Sequence, residues 1–160
     1  MKKYEGNITP LIYGGAHQEY GLRGGTQNVP GIVGFGKACE LINIDRTKSI
    51  TRNLKKEFLT NLEFDYTVNM PEFDTKILSL TIDGVDAETL AIVLSSRGVC
   101  ISAGSACKSQ EQKPSEVLLA AGFSESQARN TVRISFSDMN TLEEVREAAK
   151  IMNECVRVLQ

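Results

Sequence analysis

Lys76-Ile77-Leu78-Ser79-Leu80-Thr81-Ile82-Asp83-Gly84-Val85-Asp86-Ala87-Glu88-Thr89-Leu90 carries two hydrophobic periods back to back. Leu78, Leu80 and Ile82 alternate with Ser79 and Thr81, the period of two that buries one face of a strand. Asp83-Gly84 ends the strand. Asp86 can then accept a hydrogen bond from the first free amides of a helix whose Ala87, Leu90, Ala91 and Leu94 keep to one face. Gly98 stands where that helix can stop in a left-handed conformation. Residues 99–101 predict a second short strand.

The same periods continue downstream. Val132-Arg133-Ile134-Ser135-Phe136 alternates again, so Arg133 must face away from the apolar residues. Thr141 and Glu144 form a capping box, and Leu142, Val145, Ala149, Met152, Val156 and Leu159 step by three and four to the chain end. Residues 102–113 have no apolar period and are read as a loop. Pro114 opens a helix over about residues 115–121, with a short one near Glu125.

Upstream, residues 1–28 read as a short ribbon arm entering a glycine-rich loop. Asn28 and Pro30 then supply a cap and a first-turn proline. Ile50, Leu54, Phe58 and Leu62 carry an i, i+4 stripe, so residues 29–62 are predicted as one long connecting helix. Gly31, Gly34 and Gly36 weaken its first turns and point to close packing against a neighbouring backbone. The predicted fold class is α+β: a small antiparallel or mixed sheet of about three strands with helices packed on it, spanning residues 75–160. Strand order cannot be read.

The 160 residues are 41% hydrophobic and 24% charged, as expected of one globular domain. Eighteen Lys and Arg against twenty Asp and Glu form no block that could follow a phosphate backbone or an anionic membrane. No nucleic-acid or membrane partner is expected. Glu5, Gly6, Asn7 and Pro10 interrupt any signal peptide, which predicts a cytoplasmic protein with reduced thiols. Cys39, Cys100, Cys107 and Cys155 lack C-x-x-C spacing and His17 stands alone, so no metal site is assigned.

Cys107 sits among Ser102, Ala103, Gly104, Ser105 and Ala106 and precedes Lys108. Small polar surroundings and a neighbouring ammonium favour a reachable thiolate, the nucleophilic form. Cys39 and Cys155 fall within predicted helices, and Cys100 lies between Val99 and Ile101.

Ser102-Ala103-Gly104-Ser105-Ala106-Cys107-Lys108-Ser109 resembles the S-S-G-S-A-C-x-S loop of NifS- and IscS-type cysteine desulfurases. Gln18-Glu19-Tyr20-Gly21-Leu22-Arg23-Gly24-Gly25-Thr26-Gln27-Asn28-Val29-Pro30-Gly31-Ile32-Val33-Gly34 is similar to their Q-E-R-G-L-R-x-G-T-x-N-V-P-G-I-V-G. Val132-Arg133-Ile134-Ser135 is similar to their I-R-x-S. The three motifs fall in family order and cover nearly the whole chain. The resemblance implies the C-terminal portion of such an enzyme, with the small domain of fold-type I pyridoxal phosphate enzymes preceded by a long helix. It implies that Cys107 attacks the sulfur of L-cysteine, leaving alanine and a persulfide, and that Arg133 grips the substrate carboxylate. It implies that Thr26 contacts the cofactor phosphate of the neighbouring subunit in a homodimer. A sulfur-acceptor protein, as in iron–sulfur cluster assembly, would take the persulfide sulfur.

The family's cofactor-binding lysine, in an H-K pair, and the aspartate that partners the pyridine nitrogen have no counterpart here. His17 has no lysine beside it, and Tyr20 replaces a typical arginine. The chain alone is therefore expected to be inactive and to need an N-terminal pyridoxal phosphate-binding chain or domain. The alternatives are a non-enzymatic persulfide carrier or interaction module using Cys107, and an inactive remnant.

Overall fold

The computed structural model describes residues 9–15, 17–72, 75–103 and 114–160. It divides into two units, Met1–Ile42 and Asn43–Gln160. The loop expected around Cys107 lies outside the described residues.

In the first unit, the ribbon expected at the start is not a strand over residues 9–15; Gly24 N donates to Ile12 O at 2.9 Å instead. The two segments cross where neither can carry a side chain, since a Cβ on Gly14 would lie 2.6 Å from Gly24 Cα. Helix α1 (Val29–Leu41) follows. It starts as its sequence predicts, with Asn28 Oδ1 accepting from Gly31 N and Pro30 in the first turn.

The second unit opens with α2 (Ile44–Thr60). The single helix predicted over 29–62 is thus two helices. Ile42 and Asn43 are extended, and Asn43 Oδ1 caps the new helix by accepting from Arg46 N at 2.9 Å. An asparagine cap releases the backbone from the helix it interrupts, and it outweighs a hydrophobic stripe that can restart one turn later.

Four strands follow among the described residues, β1 (Thr67–Val68), β2 (Ile77–Thr81), β3 (Ser102–Ala103) and β4 (Thr131–Ser135), in the order β1-β2-β4-β3 with every neighbouring pair antiparallel. The predicted α+β class holds, with one strand more than expected. β2 and β3, joined by α3 (Ala87–Ser96), run the same way with β4 inserted between them. The strand expected at 99–101 pairs at Ser102 and Ala103 instead. The physical reason lies in the end of α3: Gly98, at φ +82°, lets its own amide reach Ser95 O and the Val99 amide reach Leu94 O, so Val99 closes the helix rather than joining the sheet.

Leu78, Leu80, Ile82, Val132, Ile134 and Phe136 form the buried face of the sheet. Against it lie Leu54 and Phe58 of α2, Leu90 and Leu94 of α3, and Val145, Ala149, Met152 and Val156 of α6 (Leu142–Leu159). Phe58 and Phe136 meet edge to face at 5.8 Å. α4 (Glu116–Ala120) and α5 (Glu125–Arg129) precede β4. No helix among the described residues is long and apolar enough to cross a membrane.

Candidate functional site

Alternation along β4 buries Val132 and Ile134 and leaves Arg133 exposed on the opposite face of the sheet. Its register partners are Ser79 on β2 and Ser102 on β3, so the guanidinium rises from a strip of hydroxyl-bearing neighbours. Among the described residues no carboxylate pairs with it. A planar cation with five donors and no acidic partner suits a carboxylate brought from outside.

The strip continues into a buried polar network that sequence reading missed. Thr81 Oγ1 bonds Thr131 Oγ1 at 2.8 Å, Asn69 Nδ2 donates to Thr81 Oγ1 and Ser79 Oγ at 3.0 and 3.1 Å, and Thr131 Oγ1 donates to Gln127 O at 2.6 Å. Thr81 and Thr131 sit on the same face as Arg133, two residues along each strand, and fix the pairing of β2 with β4 beneath it. The signal was present in the hydroxyls that fill every second position of Leu78-Ser79-Leu80-Thr81 and Thr131-Val132-Arg133-Ile134-Ser135.

β3 leads from this strip toward Cys107. A groove of about 330 Å³ is lined by Asp86, Thr89, Ile92, Ala103, Pro114 and Arg129 among others. Ala103 and Pro114 are the described residues on either side of the stretch that holds Cys107. Asp86 Oδ1 there caps α3 by accepting from Thr89 N at 2.8 Å, as the sequence predicts. A larger groove, about 620 Å³, runs between residues 97–101 and α6 and is lined by Cys100 but not by Arg133 or Thr26.

Thr26 belongs to the first unit. Its carbonyl and that of Gly25 accept from Arg23 Nη1 at 3.0 and 2.7 Å, and Gly25 N donates to Gln18 Oε1 at 2.9 Å. The turn is braced internally, while the Thr26 hydroxyl has no partner among the described residues. Just before it, Glu19, Tyr20 and Gly21 are all left-handed, at φ 44°, 59° and 79°. Two non-glycine residues in that region are strained, and they leave Tyr20 96% exposed. His17 is exposed, and its side chain caps nothing.

Cys39 and Cys100 are exposed free thiols and Cys155 is a buried one. Exposure alone thus fails to rank the cysteines, and Cys100 is more accessible than its apolar neighbours suggest. Arg97 donates toward Cys155 Sγ at 3.7 Å and pairs with Glu154 at 2.5 Å. That pairing raises the Arg97 pKa and holds the Glu154 carboxyl below its ordinary range. Both belong to the junction of α3 with α6, not to the Arg133 face. Among the described residues no cluster of His, Cys, Asp or Glu could hold a metal ion.

The residues present fit part of what a pyridoxal phosphate reaction requires. Arg133 offers a carboxylate receiver and Thr26 an unpartnered hydroxyl for a phosphate. The covalent anchor is not supplied: the single histidine, His17, is flanked by Ala16 and Gln18, so the sequence holds no His-Lys pair.

Residues 3–147 match the family described as aminotransferase class-V. The cysteine desulfurase IscS of Methanosarcina thermophila is 35% identical over 159 residues, covering 96% of this chain and 39% of that protein. The cysteine desulfurase IscS of Anaeromyxobacter sp. strain Fw109-5 is 37% identical over 153 residues, covering 92% and 37%. Among solved structures, a NifS-like protein superimposes with a TM-score of 0.76 at 30% identity, over 94% of this chain and 39% of the other. A NifS-like protein from Rickettsia africae gives 0.75 at 28%, over 94% and 41%. The chain spans about two fifths of the length of the curated relatives it matches.

Proposed function

The chain belongs to the aminotransferase class-V family, among its cysteine desulfurases, and from that premise we propose that it is the sulfur-accepting part of such an enzyme, active when a pyridoxal phosphate-binding segment completes it. The observation that carries this reading is the exposed Arg133, free of any acidic partner among the described residues and flanked by Ser79 and Ser102 at the root of the stretch that leads to Cys107. Cys107 is five positions after Ser102, so chain connectivity alone keeps the two Cα atoms within about 18 Å.

Pyridoxal phosphate, held by the other segment, would supply the electron sink that weakens the bond between the substrate's sulfur and its β-carbon. This chain's residues do the rest. Arg133 binds the carboxylate of L-cysteine through two parallel N–H donors and fixes the direction of the thiol. The Cys107 thiolate attacks that sulfur; an S–S bond forms on Cys107, the carbon–sulfur bond breaks with its electron pair left on the β-carbon, that carbon takes up a proton, and the skeleton leaves as alanine. Lys108 beside it favours the thiolate. Thr26 donates its hydroxyl to the cofactor phosphate of a neighbouring subunit, and an acceptor protein later takes the outer sulfur of the persulfide.

Mixing the chain with pyridoxal phosphate, L-cysteine and the part of Methanosarcina thermophila IscS outside the match is expected to release alanine. Cys107→Ser is expected to abolish it and Cys100→Ser to leave it unchanged. Alanine formed equally well without Cys107 would contradict the assignment.

A further inference from the structure

We infer that Ser79 is a second carboxylate-binding residue beside Arg133, its hydroxyl left free to donate by the buried amide of Asn69. The inference rests on the proposed function for the identity of the ligand, the carboxylate of L-cysteine that alanine retains, and adds the residue that shares it with the arginine.

Ser79 and Arg133 are register partners across β2 and β4. The Ile82 amide donates to Asn130 O and the Phe136 amide to Lys76 O, so the backbone-bonded pairs of this ladder fall at even-numbered positions of the first strand. By alternation Ser79 and Arg133 form a non-hydrogen-bonded pair, the kind that brings side chains closest. Their Cβ atoms stand about 5 Å apart on one face. A carboxylate lying over the two strands can meet both side chains at once.

Asn69 sets what the Ser79 hydroxyl has to offer. Asn69 Nδ2 donates to Ser79 Oγ at 3.1 Å. An amide nitrogen only donates, so Ser79 is the acceptor in that bond and keeps its own proton. Among the described residues nothing accepts that proton. Asn69 is itself held in place: it is 7% exposed, its backbone amide donates to Ser79 O at 2.9 Å, and its Nδ2 also donates to Thr81 Oγ1 at 3.0 Å. Thr81 and Thr131 already join β2 to β4, so the bond to the half-buried Ser79 is not needed for that pairing. What it adds is a fixed hydroxyl beside an arginine without an acidic partner. The two side chains together present donors, and an ionised carboxylate, which has acceptors alone, complements them.

Nuclear magnetic resonance titration of the full chain, followed at Arg133 Nε–H and at the Ser79 and Ser102 amides, reads this directly. The probes are L-alanine and ethylamine, which is L-alanine without its carboxylate. L-alanine is expected to shift all three resonances with saturation, and ethylamine none. Ser79→Ala is expected to weaken L-alanine binding at least about threefold, the loss of one hydrogen bond, with the remaining amide spectrum unchanged. Asn69→Ala is expected to weaken binding in the parent chain and to add nothing in the Ser79→Ala background, a coupling that a merely structural role does not give. The inference is overturned if L-alanine leaves Arg133 unshifted, if ethylamine shifts it equally, if Ser79→Ala binds like the parent, or if Asn69→Ala costs as much without Ser79 as with it. In the completed system Ser79→Ala should raise KM for L-cysteine at least about threefold and leave kcat unchanged. L-alanine binding shared by Arg133 and Ser79, with no alanine released by the completed system, sinks the functional reading and spares this one. Alanine release that needs Arg133 but keeps its KM without Ser79 does the reverse.

Discussion

Arg133 is recognisable at the residue scale because strand alternation leaves it no apolar company, and the structure puts it on the outer face between Ser79 and Ser102. In the completed system, Arg133→Ala is expected to lower kcat/KM about 10- to 100-fold, mainly through KM, since charge-assisted hydrogen bonds are worth about 1.5–3 kcal/mol. Arg133→Lys keeps the charge and loses the fork, so it should recover only part of that in the same steady-state assay. The hydroxyls beneath it were visible as residues but not as a network, because cross-strand partners depend on a register that one strand's sequence does not contain. Thr81→Val removes the group that joins Asn69 to Thr131 and leaves the buried Asn69 Oδ1 without its donor. A loss of about 1–3 kcal/mol in urea unfolding is expected. An unchanged midpoint would show that the network does not hold β2 to β4.

Elements were legible where a local signal ends them. Thr141 and Glu144 form the capping box that their spacing predicts, with Thr141 Oγ1 accepting from Glu144 N at 3.2 Å and Glu144 Oε2 accepting from Thr141 N at 2.8 Å. Thr141→Ala should cost about 1 kcal/mol by thermal or chemical denaturation. The break between α1 and α2 is equally local, in the cap at Asn43, but the stripe from Ile50 to Leu62 continues the helical period beyond it and hides it. β1 was not legible, since two residues carry no period and owe their conformation to pairing with Leu80 and Thr81. Asn153 was hidden in the same way. Along α6 it reads as a polar residue on an apolar stripe, yet its Oδ1 accepts from Glu63 N at 3.0 Å and its Nδ2 donates to Asn61 O at 2.9 Å. Asn153→Leu, which leaves both backbone groups unpaired at the end of α2, is expected to destabilise by about 1–3 kcal/mol. An unaffected melting curve would contradict that role.

At the scale of the molecule, the hydrophobic core found among the described residues, Leu54 to Val156, belongs to the second unit. Residues 43–160 alone are expected to melt in one cooperative transition by circular dichroism; a broad, sloping melt would contradict this. Acid stability follows from two exposed pairs, Glu57 with Arg146 at 2.7 Å and Glu154 with Arg97. The hydrogen bond from Arg146 lowers the Glu57 pKa, and that from Arg97 lowers the Glu154 pKa. A carboxyl whose pKa is lower folded than unfolded contributes stability above the ordinary carboxylate pKa and loses it as pH falls through the folded value. Glu57→Gln is therefore expected to flatten the fall in melting temperature below about pH 4.3, and salt should weaken both pairs. What most defines this molecule is the sulfur that Cys107 is proposed to take. Intact-protein and peptide mass spectrometry of the chain, after reaction with L-cysteine, pyridoxal phosphate and the completing segment, should find one added sulfur atom on Cys107, removed by a thiol reductant. Alanine release with Cys107 unmodified, and the added sulfur on Cys100 or Cys39 instead, would contradict the account.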